Sequence, residues 1–259
     1  MRTVPSAMVA LLLSAISLLA TDLTLNQTST DHGHEGEQTQ LWSSRYMRIN
    51  QPGNQVDFLV DFSQGVSYTI DHRRKVIQKM NWDDLEIAAE AFGEKMKRLP
   101  PLILKAMGAN DAPIAVVDQG SEILLGRECH KWRIVLGPVI IETSNDPSVN
   151  PPVPAIPYQR FLRLHTVIGQ PQVDALMLKA GEELAKVQGL ALNYRIVLPI
   201  AGQMTTVTTH FEEGPIPPSA FELPSDYQVE DSGRKMRLDL GVSNSRPVSV
   251  SQVQPCSGI

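Results

Sequence analysis

The stretch LLGRECHKWRIVLGPVIIE, from Leu124 to Glu142, determines the fold class of this 259-residue chain. A short apolar run ends in a turn at Gly126–Arg127, and the chain returns as a strand through Cys129–Leu136. A second turn at Gly137–Pro138 precedes the apolar run that leads to Glu142. Short apolar segments separated by glycine-containing turns predict three antiparallel strands in a meander.

The same strand pattern extends in both directions from this meander. On the N-terminal side, alternating residues predict strands at 24–30, 39–49, 56–62, 66–70 and 76–80. On the C-terminal side, they predict strands at 192–198 and 204–211. Because most of these strands are joined by short polar turns, we expect one curled antiparallel sheet.

Apolar residues spaced three and four apart replace the period of two in three places, as is typical of amphipathic α-helices. The first predicted helix runs from Trp82 to Leu99 and ends at Pro100–Pro101. Two more are predicted at 158–165 and 173–187. An apolar helix face must be buried, and the sheet is the available partner. The predicted fold class is therefore α+β, with helices packed on a sheet.

The N-terminus has the features of a secretory signal peptide. Arg2 precedes an apolar run, Ala7–Ala20, that is too short to span a bilayer. The alternative is a membrane anchor, which the single basic flank disfavours. We therefore expect residues 1–20 to be removed, and the mature protein to be periplasmic or secreted.

The rest of the chain is predicted to form one domain over residues 21–240. Helical insertions are expected near 82–107 and 157–188, and a disordered tail over 241–259. The segment 145–157 contains five prolines and is expected to be a surface crossover rather than a strand.

Charge and cysteine content limit the partners. The chain has 23 basic and 28 acidic residues, and removal of Arg2 with the signal peptide leaves 22 against 28. This acidic excess argues against nucleic acid and anionic lipid headgroups as general partners. An exported chain permits a disulfide between Cys129 and Cys256. A cysteine so close to the C-terminus is usually mobile, so the pairing stays open.

Three segments carry a family resemblance: GRECHKW at Gly126–Trp132, RYMRI at Arg45–Ile49, and FEEGPIPPSAFELP at Phe211–Pro224 with Tyr227 beyond it. They resemble a bacterial exported family of unknown function, which is similar to the periplasmic lipoprotein carriers of the LolA and LppX type. The resemblance implies a curled antiparallel half-barrel with helices on its concave apolar face. It implies no catalytic residues. The helical region 145–189 departs from the simpler members.

Few residues form a set that could support chemistry. His32 and His34 share a polar loop, but a closed metal site needs three or four fixed ligands. We therefore predict no metal and no cofactor, with these two histidines as weak candidates. His130 follows Cys129 directly, and adjacent strand residues point to opposite faces, so they are poorly placed as a nucleophile and base. The sequence contains no hydrolase, metalloprotease or phosphate-binding motif, which predicts a protein that is not an enzyme.

An apolar surface remains as the candidate site. An open half-barrel leaves a concave apolar wall that helices rich in Leu, Met and Phe can cover. The residues expected to contact an apolar ligand are Phe58, Phe62, Tyr68, Phe92, Trp132 and Met177. Asp57 and Asp61 alternate with the apolar residues of their strand and are expected to face solvent.

Two functions of different classes follow from this surface. The first is a non-enzymatic exported binding protein that holds a lipid, an acyl chain or an apolar peptide segment between sheet and helices. The alternative is a structural or interaction module of the cell envelope, with a filled core and a partner protein on its surface. A third and weaker hypothesis is a metal-binding envelope protein that uses the loop of His32 and His34.

Overall fold

The computed structural model describes residues 21–31, 34–96, 114–136, 139–166, 186–198 and 202–242. Within these ranges, twelve strands form one sheet and three α-helices accompany it. The strands are β1 Leu23–Asp31, β2 His34–Trp42, β3 Tyr46–Gln51, β4 Val56–Asp61, β5 Val66–Asp71, β6 Val76–Asn81, β7 Ile114–Leu124, β8 Arg127–Leu136, β9 Val139–Asp146, β10 Leu190–Leu198, β11 Gly202–Glu213 and β12 Gln228–Asp231. The helices are α1 Trp82–Met96, α2 Ala155–Thr166 and α3 Ser232–Asp239, with a short 3-10 helix at Pro218–Phe221.

The sheet consists of two meanders joined at its centre. Its strand order is β12-β6-β5-β4-β3-β2-β1-β11-β10-β9-β8-β7, so β1 and β11 join the first meander to the second. Every neighbouring pair is antiparallel except β12 and β6, which are parallel. The fold class is therefore α+β with an open, curled and mainly antiparallel sheet, as predicted.

Sequence patterning located most strands but missed two details of the chain path. The segment 39–49 is not one strand, because β2 ends at Trp42 and β3 begins at Tyr46. The sequence predicts two strands at 114–117 and 122–125, but Ile114–Leu124 is one strand with a bulge between Asp118 and Ser121. Polar residues within a strand resemble a turn in sequence, although a bulge accommodates them without ending the ladder.

The connection between β9 and α2 is shorter than the proline-rich segment 145–157 that the sequence predicts as a crossover. Strand β9 continues to Asp146 and helix α2 begins at Ala155, so Pro157 lies in the first turn of a helix. Proline is tolerated there because a first-turn N–H has no intrahelical acceptor. Gly189 has φ of +83°, and a Cβ at this position would lie 2.0 Å from the Asp146 carbonyl oxygen. Only glycine therefore permits this approach of the chain to the end of β9.

Helix α1 starts as the sequence predicts, at Trp82. The backbone N–H of Trp82 donates to the Gly65 carbonyl at 2.9 Å, and the indole Nε1 of Trp82 donates to the Ser67 hydroxyl at 2.9 Å. Asp83 and Asp84 occupy the first turn, where the helix dipole favours negative charge. The described helix ends at Met96, and the expected continuation through 97–107 lies outside the described residues. No helix within the described residues is long and apolar enough to cross a bilayer.

Two apolar clusters lie on opposite faces of the first meander. The larger one lies beneath α1 and α2 and includes Leu25, Trp42, Phe62, Trp82 and Leu192. The smaller one consists of Leu59, Ile70, Ile77 and Phe221, with partly buried neighbours around them. The prolines of segment 215–224 predict an edge segment of the sheet, but the segment crosses this second face and contributes Phe221 to its cluster. Both faces of the first meander are thus covered.

Candidate functional site

An aromatic cluster fills the space between the helices and strands β2 to β4. We call it the aromatic core, and it consists of Trp42, Phe58, Phe62, Trp82, Tyr158 and Phe161. Phe62 lies at its centre, with ring centroids 6.4 Å from Trp42, 6.0 Å from Trp82 and 5.6 Å from Phe161. Trp42, Phe62 and Trp82 are 5%, 4% and 1% exposed. Rings at these separations are in contact, so this part of the helix-covered face is packed by the protein's own side chains.

Tyr158 packs in the aromatic core through its ring, and the residue as a whole is half-buried. Its ring is 6.0 Å from Trp42 and 6.5 Å from Phe62, measured between centroids. Burial raises the pKa of its hydroxyl to about 12, because the phenolate would lose its hydration. The environment around Tyr158 is therefore one that excludes charge.

The second meander carries a row of apolar residues on the same face. Residues paired directly across an antiparallel ladder share one face. Ile134 pairs with Val116 on one side and Ile141 on the other, and Ile196 pairs with Ile141 and Met204. We call these five residues the apolar wall. Ile134 is 4% exposed and the others are partly buried. None of the five belongs to the cluster beneath α1 and α2.

The opposite face of the same strands carries a charged row beside an apolar row of Val135, Ile140 and Val197. Arg133, Glu142 and Arg195 are paired across β8, β9 and β10, and Glu142 accepts from Arg133 at 3.3 Å and from Arg195 at 3.1 Å. Their side chains are between 31% and 46% exposed. The opposite face is therefore partly ionic, whereas the row that forms the apolar wall contains no charged side chain.

A polar row lies beside the apolar wall on the same face, two residues away from it in each strand. It consists of Trp132, Thr143, Tyr194 and Thr206, which pair in sequence across β8 to β11. The Trp132 indole nitrogen is buried and has no hydrogen-bond partner among the described residues. A buried N–H without an acceptor costs about 1–3 kcal/mol. The row therefore places a buried hydrogen-bond donor beside an apolar surface.

Amide side chains extend this polar zone towards the first meander. The Gln51 amide donates to Gln38 at 3.2 Å, Gln38 donates to Gln27 at 2.7 Å, and Gln27 donates to Thr208 at 3.0 Å. The Thr208 hydroxyl in turn donates to the Leu192 carbonyl. Gln27 and Gln38 are 2% and 6% exposed. The amides satisfy one another, so this end of the helix-covered face is polar and carries no charge.

An ionic cluster on the second face corrects the expectation for Asp57. This carboxylate is 7% exposed and accepts from Arg48 at 2.6 Å, and it lies 3.0 Å from His72 Nε2. His72 Nδ1 is 2.9 Å from the Tyr227 hydroxyl. Arg48 also donates to the carbonyl of Ala220 at 3.0 Å. The Asp57 carboxylate is already paired with the Arg48 guanidinium, so this cluster is poorly suited to proton transfer. It instead attaches the segment 215–224 to the second face of the sheet.

Asp61 is also buried rather than solvated, at 4% exposure. It accepts two hydrogen bonds from Arg45, at 2.7 and 3.3 Å, and another from the Ser63 hydroxyl. Sequence alternation placed both aspartates on the face opposite the apolar residues, which is correct. It could not show that this face is also covered, because the covering segment follows more than 150 residues later.

The buried thiol does not have the properties of a nucleophile. Burial is the main cause that raises the pKa of Cys129, and nearby Asp146 adds to it. Burial alone would also raise the pKa of Asp146, but hydrogen bonds from Ser148 and Arg127 outweigh it and lower that pKa. Cys129 forms no disulfide within the described residues. Cys256 lies outside them, so the pairing stays open.

The structure separates the six residues predicted to contact a ligand. Phe58 and Phe62 belong to the aromatic core, whereas Trp132 lies in the polar row next to the apolar wall. Tyr68 packs on the second face, so its placement with the others was wrong. The side chain of Phe92 and all of Met177 lie outside the described residues.

The structure does not test His32 and His34 as metal ligands. His32 and the side chain of His34 lie outside the described residues, although the backbone of His34 begins β2. Among the described residues there is no group of three or more potential metal ligands. An open depression of about 460 Å³ on the second face is lined by Asn50, Gln55 and His72 with their neighbours. Its polar lining does not suit an apolar ligand.

Sequence reasoning missed the apolar wall as a site. Ile134, Ile141 and Ile196 were each assigned to strands, but no single strand shows that they stand side by side. The available signal was a charged residue next to an isoleucine in three separate strands, at Arg133–Ile134, Ile141–Glu142 and Arg195–Ile196. Neighbouring residues of a strand point to opposite faces, while the register that aligns the rows comes only from the structure.

No protein-family model matches the chain, and no curated protein matches it. Among solved structures, an uncharacterised conserved protein from Thermus thermophilus has a TM-score of 0.46 and 8% identity, over 82% of this chain and 91% of that chain. MucB has a TM-score of 0.40 and 11% identity, over 82% of this chain and 60% of its own.

A putative outer membrane lipoprotein-sorting protein domain from Vibrio parahaemolyticus has a TM-score of 0.32 and 7% identity, over 78% of this chain and 89% of that chain. All three TM-scores lie below one half.

Proposed function

We propose that this protein is a non-enzymatic, exported binding protein of the cell envelope. Its apolar wall would hold an acyl chain or another apolar segment against strands β7 to β11. The observation that carries the proposal is the contrast between the wall and the ionic residues on the opposite face of the same strands. A row of five apolar residues, one from each strand, provides a continuous surface of the kind that apolar ligands require.

The position of the proposed site differs from the one that the aromatic residues suggested. Phe62 already contacts Trp42, Trp82 and Phe161, so the aromatic core has no need of a ligand to exclude water. The wall residues contribute nothing to that core. The ligand is therefore assigned to the second meander, and the aromatic core to stability.

Export belongs to the same proposal. The apolar run Ala7–Ala20 after Arg2 would direct secretion and would be absent from the mature protein. The remaining chain would act as one domain over 21–240, followed by the tail 241–259. Recovery of an intact N-terminus from the soluble extracytoplasmic fraction would contradict this part.

Native mass spectrometry of protein purified without detergent tests the ligand. We expect added mass from co-purified lipid, and fluorescence from an apolar dye that the lipid displaces. Ile196→Glu places a charge in the apolar wall and should abolish dye binding. Val197→Glu is the matched control, because the neighbouring residue of the same strand points to the opposite face of the sheet and should retain binding.

The alternative function is an interaction module of the envelope with a filled core. The closely packed aromatic core favours it. A clean apo mass together with no dye binding by the parent protein would contradict the ligand proposal and leave the interaction module standing.

A further inference from the structure

We propose that the ligand is an amphiphile with an uncharged, hydrogen-bonding head group, such as a glycerol ester or an amide. This inference rests on the proposed function, because it assigns the head group of the ligand that the apolar wall would hold. The chain would lie on the wall and the head group on the polar row.

The first argument is the order of the rows. Ile134, Ile141 and Ile196 of the apolar wall are followed, two residues away along their strands, by Trp132, Thr143 and Tyr194. The next row contains His130 and Asn145, which pair across β8 and β9. Polarity therefore increases in one direction along the strands, from isoleucine through indole and hydroxyl groups to an amide.

The second argument is the absence of charge. Across β8 to β11, neither the apolar wall nor the polar row contains an Asp, Glu, Lys or Arg. Asp118 of β7 ends the polar row at the sheet edge, where its carboxylate accepts from the Gly120 N–H at 2.7 Å. An anionic head group would lose hydration on these rows without gaining a partner of opposite charge there, and a cationic one would find only the Asp118 carboxylate at the edge, whereas a neutral head group would lose much less.

The third argument is the unsatisfied donor. The buried Trp132 indole N–H has no acceptor among the described residues. Its ring stacks on His130 with centroids 6.5 Å apart, which holds the indole in place. An ester, amide or hydroxyl oxygen beside it would supply the missing acceptor, and a cationic head group would not.

The experiment compares three ligands that share a twelve-carbon chain: monolauroylglycerol, laurate and dodecyltrimethylammonium. Each competes with a bound apolar dye at about pH 8, where laurate is ionised. We expect monolauroylglycerol to bind about tenfold more tightly than either ion, a difference that one good hydrogen bond and one avoided desolvation can supply. Equal affinities, or tighter binding of an ion, would overturn the head-group inference and leave the wall proposal intact. No binding of any of the three would overturn both.

Single substitutions identify the donor. Trp132→Phe keeps an aromatic ring and removes the N–H, so it should weaken the binding of monolauroylglycerol about threefold to tenfold and leave that of dodecyltrimethylammonium, which has no acceptor, unchanged. Arg133→Gln, on the opposite face of the same strand, should change neither affinity. An equal loss for all three ligands in Trp132→Phe would mean that the ring makes only apolar contacts, and would contradict the assigned role. Tyr194→Phe repeats the measurement in the same row if Trp132→Phe does not fold.

Discussion

The two meanders of this sheet are covered in different ways. The first, β1 to β6, has the aromatic core on one face and the cluster around Leu59, Ile70 and Phe221 on the other. The second, β7 to β11, has the apolar wall on one face and the exposed ionic row of Arg133, Glu142 and Arg195 on the other. The first half has an apolar cluster on each side, while the second has exposed charge on the side opposite the wall.

The difference separates stability from binding. A residue packed on all sides contributes through transfer energy and close contact, and its removal leaves a cavity. A residue in a wall that a ligand covers contributes less to the ligand-free fold, because part of its surface is not buried by the protein. Mutations in the two halves should therefore change different quantities, and four measurements test this.

The largest effect is expected from the centre of the aromatic core. Phe62→Ala should lower the free energy of unfolding by about 3–5 kcal/mol, because the ring contacts four others and the cavity cannot be filled. Ile196→Ala in the apolar wall should cost only about 1–2 kcal/mol. Urea denaturation of ligand-free protein measures both. Equal losses would remove the distinction between core and wall.

The ion pairs of the two halves provide the second test. Asp57→Asn leaves the Arg48 guanidinium, whose side chain is 13% exposed, without its carboxylate and should cost about 2–3 kcal/mol. Glu142→Gln breaks the exposed row of the second meander and should cost less than about 1 kcal/mol. Denaturation at low and high salt separates them further, because salt screens only the exposed row effectively. A larger loss for Glu142→Gln would contradict the assignment of the ionic face to solvent.

Acid titration should destabilise both halves through different carboxylates. Burial alone would raise the pKa of Asp61, but hydrogen bonds from Arg45 and Ser63 outweigh it and hold the pKa below its ordinary value of 3.8. The pKa of Asp146, paired with Arg127, is lowered in the same way.

A carboxylate with a lowered pKa stabilises the fold above its unfolded-state pKa and loses that contribution as pH falls through its folded-state pKa. Stability should thus decline below about pH 4. Asp61→Asn and Asp146→Asn should each make the decline shallower in pH-dependent urea titrations. A pH dependence that neither substitution alters would show that other groups cause the acid loss.

The smallest effect concerns Tyr158. Because burial raises the pKa of its hydroxyl to about 12, the protonated form is favoured in the fold, and stability should be lost as pH rises from the ordinary value of 10.0 towards 12. Tyr158→Phe should remove the last step of an ultraviolet tyrosine titration and change stability at neutral pH by less than about 1 kcal/mol. Ionisation of Tyr158 together with the exposed tyrosines would contradict a dry core.

Local patterns predicted much of the chain. Alternation identified strands on both sides of Leu124–Glu142, and the spacing from Trp82 identified helix α1. The sequence motif Gly126–Trp132 also lies in β8, the strand that contributes Ile134 to the apolar wall. These features depend on neighbours within one strand or one helix, where a period of two or 3.6 decides which face a side chain occupies.

The sequence by itself determined most of the strands, the start of the first helix and the absence of catalytic motifs. Only the tertiary structure decided that β1 pairs with β11, that Ala220 approaches Arg48, and that Ile134, Ile141 and Ile196 stand side by side. These relations join residues far apart in the chain, and their register depends on bulges such as the one between Asn26 and Gln27. A local pattern shows which side of a strand is apolar, but the residue that covers it is chosen by packing of the whole chain.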